Sequence, residues 1–351
     1  METRLQQLQL TFKQLGIDAL LVTDPVNMGY LTGFDGDGLV LVTAKTTILV
    51  TDDRYATALA ATPHPFEVAI TRSYLEVAIR LAHEHQVTTL GFEDQLAYRT
   101  FARLKQLTSM VLVPVDAVIE RLRTIKSVEE VEILTRSAKL AVQGFEKLLP
   151  VIKPGVSERW VANQLDCIMK TLGASGPSFE TIVASGYRSA LPHGAASDKL
   201  IQAGELVTID FGYFVDGYTS DLTRTVAVGN PGTQLKEVYQ VVQDAQRAII
   251  EAVQAGVIGQ RLDQIGRQII SEAGYGSYFN HGTGHGIGLA IHEGPDINTR
   301  AQTPLQVNQV VTVEPGIYLP NVGGVRIEDD VLVQATHGEV LTASDTGLII
   351  L

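Results

Sequence analysis

With 351 residues the chain is long for one domain and reads as two, since domains usually run to roughly 100 to 200 residues. Hydrophobic residues make up 45% and charged residues 19%, an ordinary globular composition that excludes a disordered or fibrous chain. The net charge of −12 argues against nucleic acid as a partner, because phosphates call for a basic surface, and the single cysteine, Cys167, excludes an internal disulfide or a thiolate metal cluster within one chain.

The opening "METRLQQLQLTFKQLG" places apolar residues at helical spacing without the unbroken apolar core of a signal peptide. No run approaches the roughly 18 apolar residues a bilayer span needs, so no membrane partner and a cytoplasmic location are expected. From Asp18 to about Val115 the β-rich runs "DALLVT", "LVLVTA", "TTILVT", "FEVAI", "TTLGF" and "VLVPV" are separated by the helical patterns "DRYATALAAT", "YLEVAIRLAHEHQ" and "LAYRTFARLKQL". That alternation predicts an α/β domain with helices over a sheet. His64, His83 and His85 read as solvated surface groups.

The character changes near residue 124, where Ser127 and Glu130 stand in capping-box spacing before a long amphipathic helix closed by "KPG". The boundary is therefore set between residues 1–123 and 124–351. Two stretches of the second part, "PGVSERWVANQLDCIMKTLG" and "AGVIGQRLDQIGRQIISEAG", align at a constant offset that matches Gly155 to Gly256, Val156 to Val257 and Gly173 to Gly274. Two similar α+β halves related by a pseudo-two-fold, with a site between the halves, are expected from this repeat. Cys167, within the first copy, is read as a buried helical side chain.

The run "TIDFGYFVDGYTSDLTRT" sets Asp210 and Asp221 in otherwise strand-like sequence, around an Asp216-Gly217 pair favoured in type I′ hairpins. With those two residues as the turn, Val215 pairs with Tyr218 and Asp210 with Thr223, and Asp221 stands opposite Gly212. Asp210 and Asp221 then become diagonal neighbours on one face, roughly 7 to 8 Å apart at the backbone. Two converging carboxylates on a partly buried face call for an arginine, a shared proton or metal ions between them.

Downstream residues favour metal. His281, His285 and His292 lie in "HGTGHGIGLAIHEGP", which lacks the third glycine of a dinucleotide loop; Glu314 interrupts "VVTVEPGIY", and Glu328 lies in "GGVRIEDDVLV". Asp210, Asp221, His285, Glu314 and Glu328 give an oxygen-rich set with one imidazole and no soft sulfur, suited to a two-metal site holding Mn²⁺, Co²⁺, Fe²⁺ or Zn²⁺. Hydrolysis is the reaction such a pair of ions serves.

The order of these residues, within "DFG", "SDLTRT", "GTGHGIGL", "HEGP", "VEPGIY" and "RIEDD", resembles the M24 "pita-bread" metallopeptidases, which include methionine aminopeptidase, prolidase and aminopeptidase P. The first part resembles the creatinase-type N-terminal domain of prolidase and aminopeptidase P, and "IVASGYRSALPHGAASDK" is most similar to short bacterial Xaa-Pro aminopeptidases. The resemblance implies an α+β chain, a creatinase-like α/β domain followed by a pita-bread catalytic domain. It implies two divalent ions, Mn²⁺ first among the candidates: Asp210 chelating one, Asp221 and Glu328 bridging both, and His285 and Glu314 completing one sphere each. Glu314 would shuttle protons beside a bridging hydroxide nucleophile, His193 and His292 would contact substrate or tetrahedral intermediate, and His281, Tyr318 and Arg326 would line the pocket or support the ligands. The implied reaction releases an N-terminal residue from peptides whose second residue is proline. Restriction to Xaa-Pro dipeptides is the alternative, and a non-metal creatinase-type hydrolase or an inactive binding module would need ligands missing that are present here. A homodimer is the assembly implied.

Overall fold

Runs of apolar residues too short for helices and bounded by turn formers build the first unit. In the computed structural model, which describes residues 2–351, β1 (Ala19–Val22), β2 (Gly38–Thr43), β3 (Thr47–Thr51), β4 (Glu67–Ile70), β5 (Thr89–Glu93) and β6 (Val111–Val115) form one sheet. Its order is β4-β3-β2-β1-β5-β6, with β2 antiparallel to both neighbours and the β3–β4, β1–β5 and β5–β6 pairs parallel. The inner strands β1 and β3 are buried at every position, as strands covered on both faces must be, whereas the edge strands β4 and β6 are largely uncovered.

All six strands coincide with runs legible in the sequence. The helix Pro25–Thr32 does not, because "PVNMGYLT" carries proline, asparagine and glycine and no amphipathic period. Proline stands in its first turn, where a missing N–H is harmless; the Asp24 side chain accepts from Asn27 N–H, and Gly33 closes it at φ 72°.

The described residues separate into two compact units after Arg123. The second begins with the helix Val128–Leu148, whose capping box is complete in both directions between Ser127 and Glu130. The internal repeat is visible in backbone detail. Gly155 and Gly256 have φ of 88° and 89°; Gly155 N–H bonds Ile201 O at 2.9 Å and Gly256 N–H bonds Leu305 O at 2.8 Å; each precedes a helix, Glu158–Leu172 or Gly259–Glu272. Each half packs its helices on strands around its own apolar cluster, Phe145, Val161, Leu165 and Ile209 in one and Ile249, Leu262, Val311 and Val331 in the other.

Cys167 is exposed, contrary to the expectation of burial. The helix buries Val161, Leu165 and Met169, four residues apart, and Cys167, two residues past Leu165, points away from that stripe. His64, by contrast, is partly buried, stacked on Phe66 at 4.4 Å, while His83 and His85 are exposed.

Candidate metal centre

The hairpin that carries the first acids keeps the register read from its turn. Asp216 and Gly217 both have positive φ, 49° and 82°, as a type I′ turn requires; Val215 pairs with Tyr218 and Asp210 with Thr223. One detail differs from a continuous hairpin. The ladder breaks at Gly212 and Ser220–Asp221, dividing it into strands Glu205–Phe211 and Leu222–Val228 on one side and Tyr213–Val215 and Tyr218–Thr219 on the other. At the break a Cβ on Gly212 would lie 2.2 Å from Ser220 O, so only glycine permits this approach. Asp210 and Asp221, 8% and 4% exposed, both face one cavity of about 300 Å³.

Three further residues reach that cavity from the other half of the unit. His285 lies in the strand Gly284–Gly286, Glu314 follows the strand Val310–Val313, and Glu328 stands between the strands Gly323–Arg326 and Asp329–Val333. Backbone bonds fix them: Glu314 N–H donates to Thr283 O at 2.8 Å and Glu328 N–H to Thr223 O at 3.1 Å. His285 Nδ1 faces the carbonyl of Gly286 at 3.1 Å and must donate to it, which leaves the Nε2 lone pair 3.7 Å from Asp221 Oδ2 and 3.6 Å from Glu314 Oε1. One ligand atom each from Asp221, His285 and Glu328 lies within 4.8 Å of the others, a grouping able to hold a metal ion. Asp210 and Glu314 line the same cavity beside them.

The electrostatics are those of a site built for positive charge. Burial, then the neighbouring Glu328 and Asp210 charges, raise the Asp221 carboxyl well above its usual range; burial and Glu314 do the same to Glu328. Glu314 is pushed up to about 8 by burial, with the Asp210 charge adding to it and Arg326 opposing it. Burial pushes His285 down to about 4, which keeps its imidazole neutral and able to ligate. Oδ1 of Asp210 and Oδ1 of Asp221 are buried with no hydrogen-bond donor among the described residues. Unsatisfied buried carboxylate oxygens are costly, and a cation compensates both at once. The donor chemistry and the two orphan oxygens thus fit divalent metal.

The surrounding residues divide by position. Arg326 Nη2 donates to Asp210 Oδ2 at 2.5 Å and its Nη1 to Tyr318 Oη at 2.7 Å; Tyr318 in turn lies 2.8 Å from His281 Nε2. His281 sits 4.0 Å from Glu314 Oε2 and outside the metal-competent grouping. His292 stacks edge-on against His285 at 4.4 Å, and His193, itself exposed, lines the cavity; Phe179, Ile182 and Ile291 supply an apolar wall.

Reading the sequence missed Asp330, although "RIEDD" contains it. Its Oδ2 accepts the Asp221 N–H at 3.0 Å from a fully buried position. Arg224, also passed over, is 2% exposed and joins Asp329 at 2.7 Å and Glu328 O at 2.5 Å, tying the two ligand-bearing strands together. Acids crowded next to a ligand in sequence were the available signal.

Comparison with known proteins gives the following. Residues 132–335 match metallopeptidase family M24 and residues 4–125 match the creatinase/prolidase N-terminal domain. A Xaa-Pro dipeptidase of Pyrococcus furiosus is 39% identical over 99% of this chain and 100% of its own length. Among solved structures, a Xaa-Pro dipeptidase from Bacillus anthracis is 42% identical with a TM-score of 0.98, covering 100% of this chain and 99% of that one. An X-Pro aminopeptidase from Thermotoga maritima is 35% identical with a TM-score of 0.90, over 97% of this chain and 100% of that one.

Proposed function

The chain belongs to metallopeptidase family M24, whose members depend on divalent metal, and from this and the site's geometry we propose that it cleaves the bond between an N-terminal residue and a following proline. The observation that carries this is the single cavity of about 300 Å³ in which Asp210, Asp221, His285, Glu314 and Glu328 face an apolar wall of Phe179, Ile182 and Ile291. Such a space suits one residue and a pyrrolidine ring. The names of the relatives above, a Xaa-Pro dipeptidase and an X-Pro aminopeptidase among them, support the same substrate class.

In this reading the five residues would hold two divalent ions, Mn²⁺ first among the candidates. Bound there, the ions would supply an acidified water as nucleophile and polarise the scissile carbonyl. The chain's own groups do the rest. Glu314, facing the same cavity, would take the nucleophile's proton and return it to the departing proline nitrogen. That nitrogen carries no N–H before cleavage, so a peptidase that must grip an amide hydrogen fails on it, and this site offers no need of one. His193 and His292 face the carbonyl oxygen as it gains charge. Arg326 and Tyr318 hold Asp210 in place, and His281 lines the pocket beside Glu314.

We take the longer peptide as the preferred substrate, with a dipeptidase as the second reading because the relatives from Pyrococcus furiosus and Bacillus anthracis carry that name. Mn²⁺-loaded protein assayed on Ala-Pro and Ala-Pro-Gly-Gly decides: cleavage of both supports the aminopeptidase, and cleavage of the dipeptide alone replaces it with the dipeptidase. The creatinase-type and catalytic domains are assigned to residues 1–123 and 124–351, supported by the matched segments 4–125 and 132–335. A homodimer in the cytoplasm completes the proposal; light scattering of the purified protein tests the assembly. No helix among the described residues is long and apolar enough to cross a membrane.

A further inference from the structure

His193 is itself exposed, yet one buried carboxylate ties down both ends and the middle of the loop that carries it. Glu158 is the first residue of the helix Glu158–Leu172, where a negative side chain meets the positive end of the helix dipole, and it is 0% exposed. Its Oε1 accepts the Ser185 N–H at 2.7 Å and the Ser185 hydroxyl at 2.8 Å. Its Oε2 accepts the Ser197 N–H at 3.1 Å and the Ser197 hydroxyl at 2.6 Å. Residues 186–196 lie between these two serines, so the carboxylate closes the loop at its base.

Arg188 extends the clamp toward the histidine. Its Nε donates to Glu158 Oε2 at 3.0 Å and its Nη2 to the Ala195 carbonyl at 2.7 Å. Ala195 N–H in turn bonds His193 O at 2.9 Å, and Gly194 N–H bonds Leu191 O at 3.0 Å, which folds the short turn on which His193 stands. The His193 ring itself has no hydrogen-bond partner among the described residues, so its aim into the cavity is set by the backbone beneath it.

A buried ion pair kept for stability alone is a weak device, since apolar replacements of similar volume are often neutral or better. Here every side-chain bond of Glu158 runs to residues of one loop, Ser185, Arg188 and Ser197. We infer that Glu158 and Arg188 are positioning residues for His193, the ion pair fixing the turn that presents an otherwise unanchored imidazole to the substrate. The inference rests on His193 contacting substrate, as proposed above.

The test is a double-mutant cycle in the full-length, Mn²⁺-loaded protein on Ala-Pro-Gly-Gly, using Arg188→Met, His193→Ala and the pair. His193→Ala should lower kcat/KM by about 100-fold and Arg188→Met by about 10-fold. In the His193→Ala background Arg188→Met should change it by less than about twofold, because its effect passes through the missing ring. Carbon-13 NMR of the histidine rings in metal-free protein supplies a readout independent of catalysis. The His193 signal, identified by its loss in His193→Ala, should shift or broaden in Arg188→Met and in Glu158→Gln, while those of His281 and His285 stay in place. If Arg188→Met does not fold, Arg188→Lys replaces it, as one amine cannot reach both Glu158 and the Ala195 carbonyl. Equal losses with and without His193, or an unmoved His193 signal, would overturn the inference. Wild-type protein inactive on every Xaa-Pro peptide would instead overturn the proposed function, with the NMR comparison still deciding whether Arg188 orients His193.

Discussion

Arg326 holds one oxygen of Asp210, Oδ2, at 2.5 Å, while the other, Oδ1, is buried with no donor among the described residues. The guanidinium thus fixes which face of the carboxylate turns to the cavity. Because Arg326 also donates to Tyr318 Oη at 2.7 Å, a lysine cannot replace the planar fork. Arg326→Lys should lower metal affinity and kcat/KM by about 10- to 100-fold, the usual cost of removing a group that orients a ligand. Isothermal titration with Mn²⁺ beside peptidase assays checks this; unchanged metal affinity would show that Asp210 needs no such hold.

A second expectation concerns pH in metal-free protein. Glu314, raised to about 8, and Asp221 and Glu328, raised well above their usual range, stay protonated in the fold while the unfolded chain ionises near pH 4. The unfolded state then binds fewer protons, so these groups lower stability as pH rises. His281 and His285, both lowered to about 4 chiefly by burial, act in the opposite sense and only below about 6.5, where the unfolded imidazole becomes charged. Between pH 6.5 and 8 the carboxylates act alone: metal-free protein should lose stability across that window, and saturating Mn²⁺, which keeps the same carboxylates ionised in the fold, should flatten the slope. Thermal unfolding with and without chelator measures it, and a flat metal-free profile would contradict the crowding of acids described here.

How much of this was legible beforehand depended on range. The Asp216-Gly217 turn announced a register that held through to the Asp210–Thr223 pair, since hairpin geometry is local. Gly212 gave no warning of the break beside it, because the contact with Ser220 O arises only when both strands are in place. Cys167, by contrast, could have been read correctly: with Val161, Leu165 and Met169 as the apolar stripe, a residue two places past Leu165 lies on the opposite face of the helix. Glu158 and Asp330 look like surface acids in a string of letters, and only the folded chain brings Ser185, Ser197 and the Asp221 N–H to them.

The break at Gly212 yields its own expectation. A methyl group there would meet Ser220 O at 2.2 Å and the Ser178 hydroxyl at 2.4 Å, with backbone on one side and little room to yield. Gly212→Ala should cost about 1 to 3 kcal/mol of stability and push the Asp221 segment away from Asp210. Denaturant unfolding and metal titration would register both effects; a variant with native stability and metal affinity would mean the two segments can separate freely.

Asp221 carries a conflict between folding and function that one substitution exposes. Its carboxylate is buried among Glu328, Asp210 and Asp330, and no donor among the described residues reaches its Oδ1. Asp221→Asn removes the charge while keeping the shape and the N–H bond to Asp330 Oδ2. Without metal at pH 8, the variant should be more stable than the wild type by about 1 kcal/mol, or about 2 °C in Tm, because the wild-type carboxyl must hold a proton to stay buried there and the amide need not. With metal the order should invert: the wild type gains stability in proportion to its affinity, and the variant, short of a ligand, gains little and loses nearly all peptidase activity. Paired melting curves at pH 8 with and without Mn²⁺ decide the matter. An asparagine variant that is weaker in both conditions would show that Asp221 serves the fold as well as the metal, and that the strain at this position is relieved in the native chain by some group other than a cation.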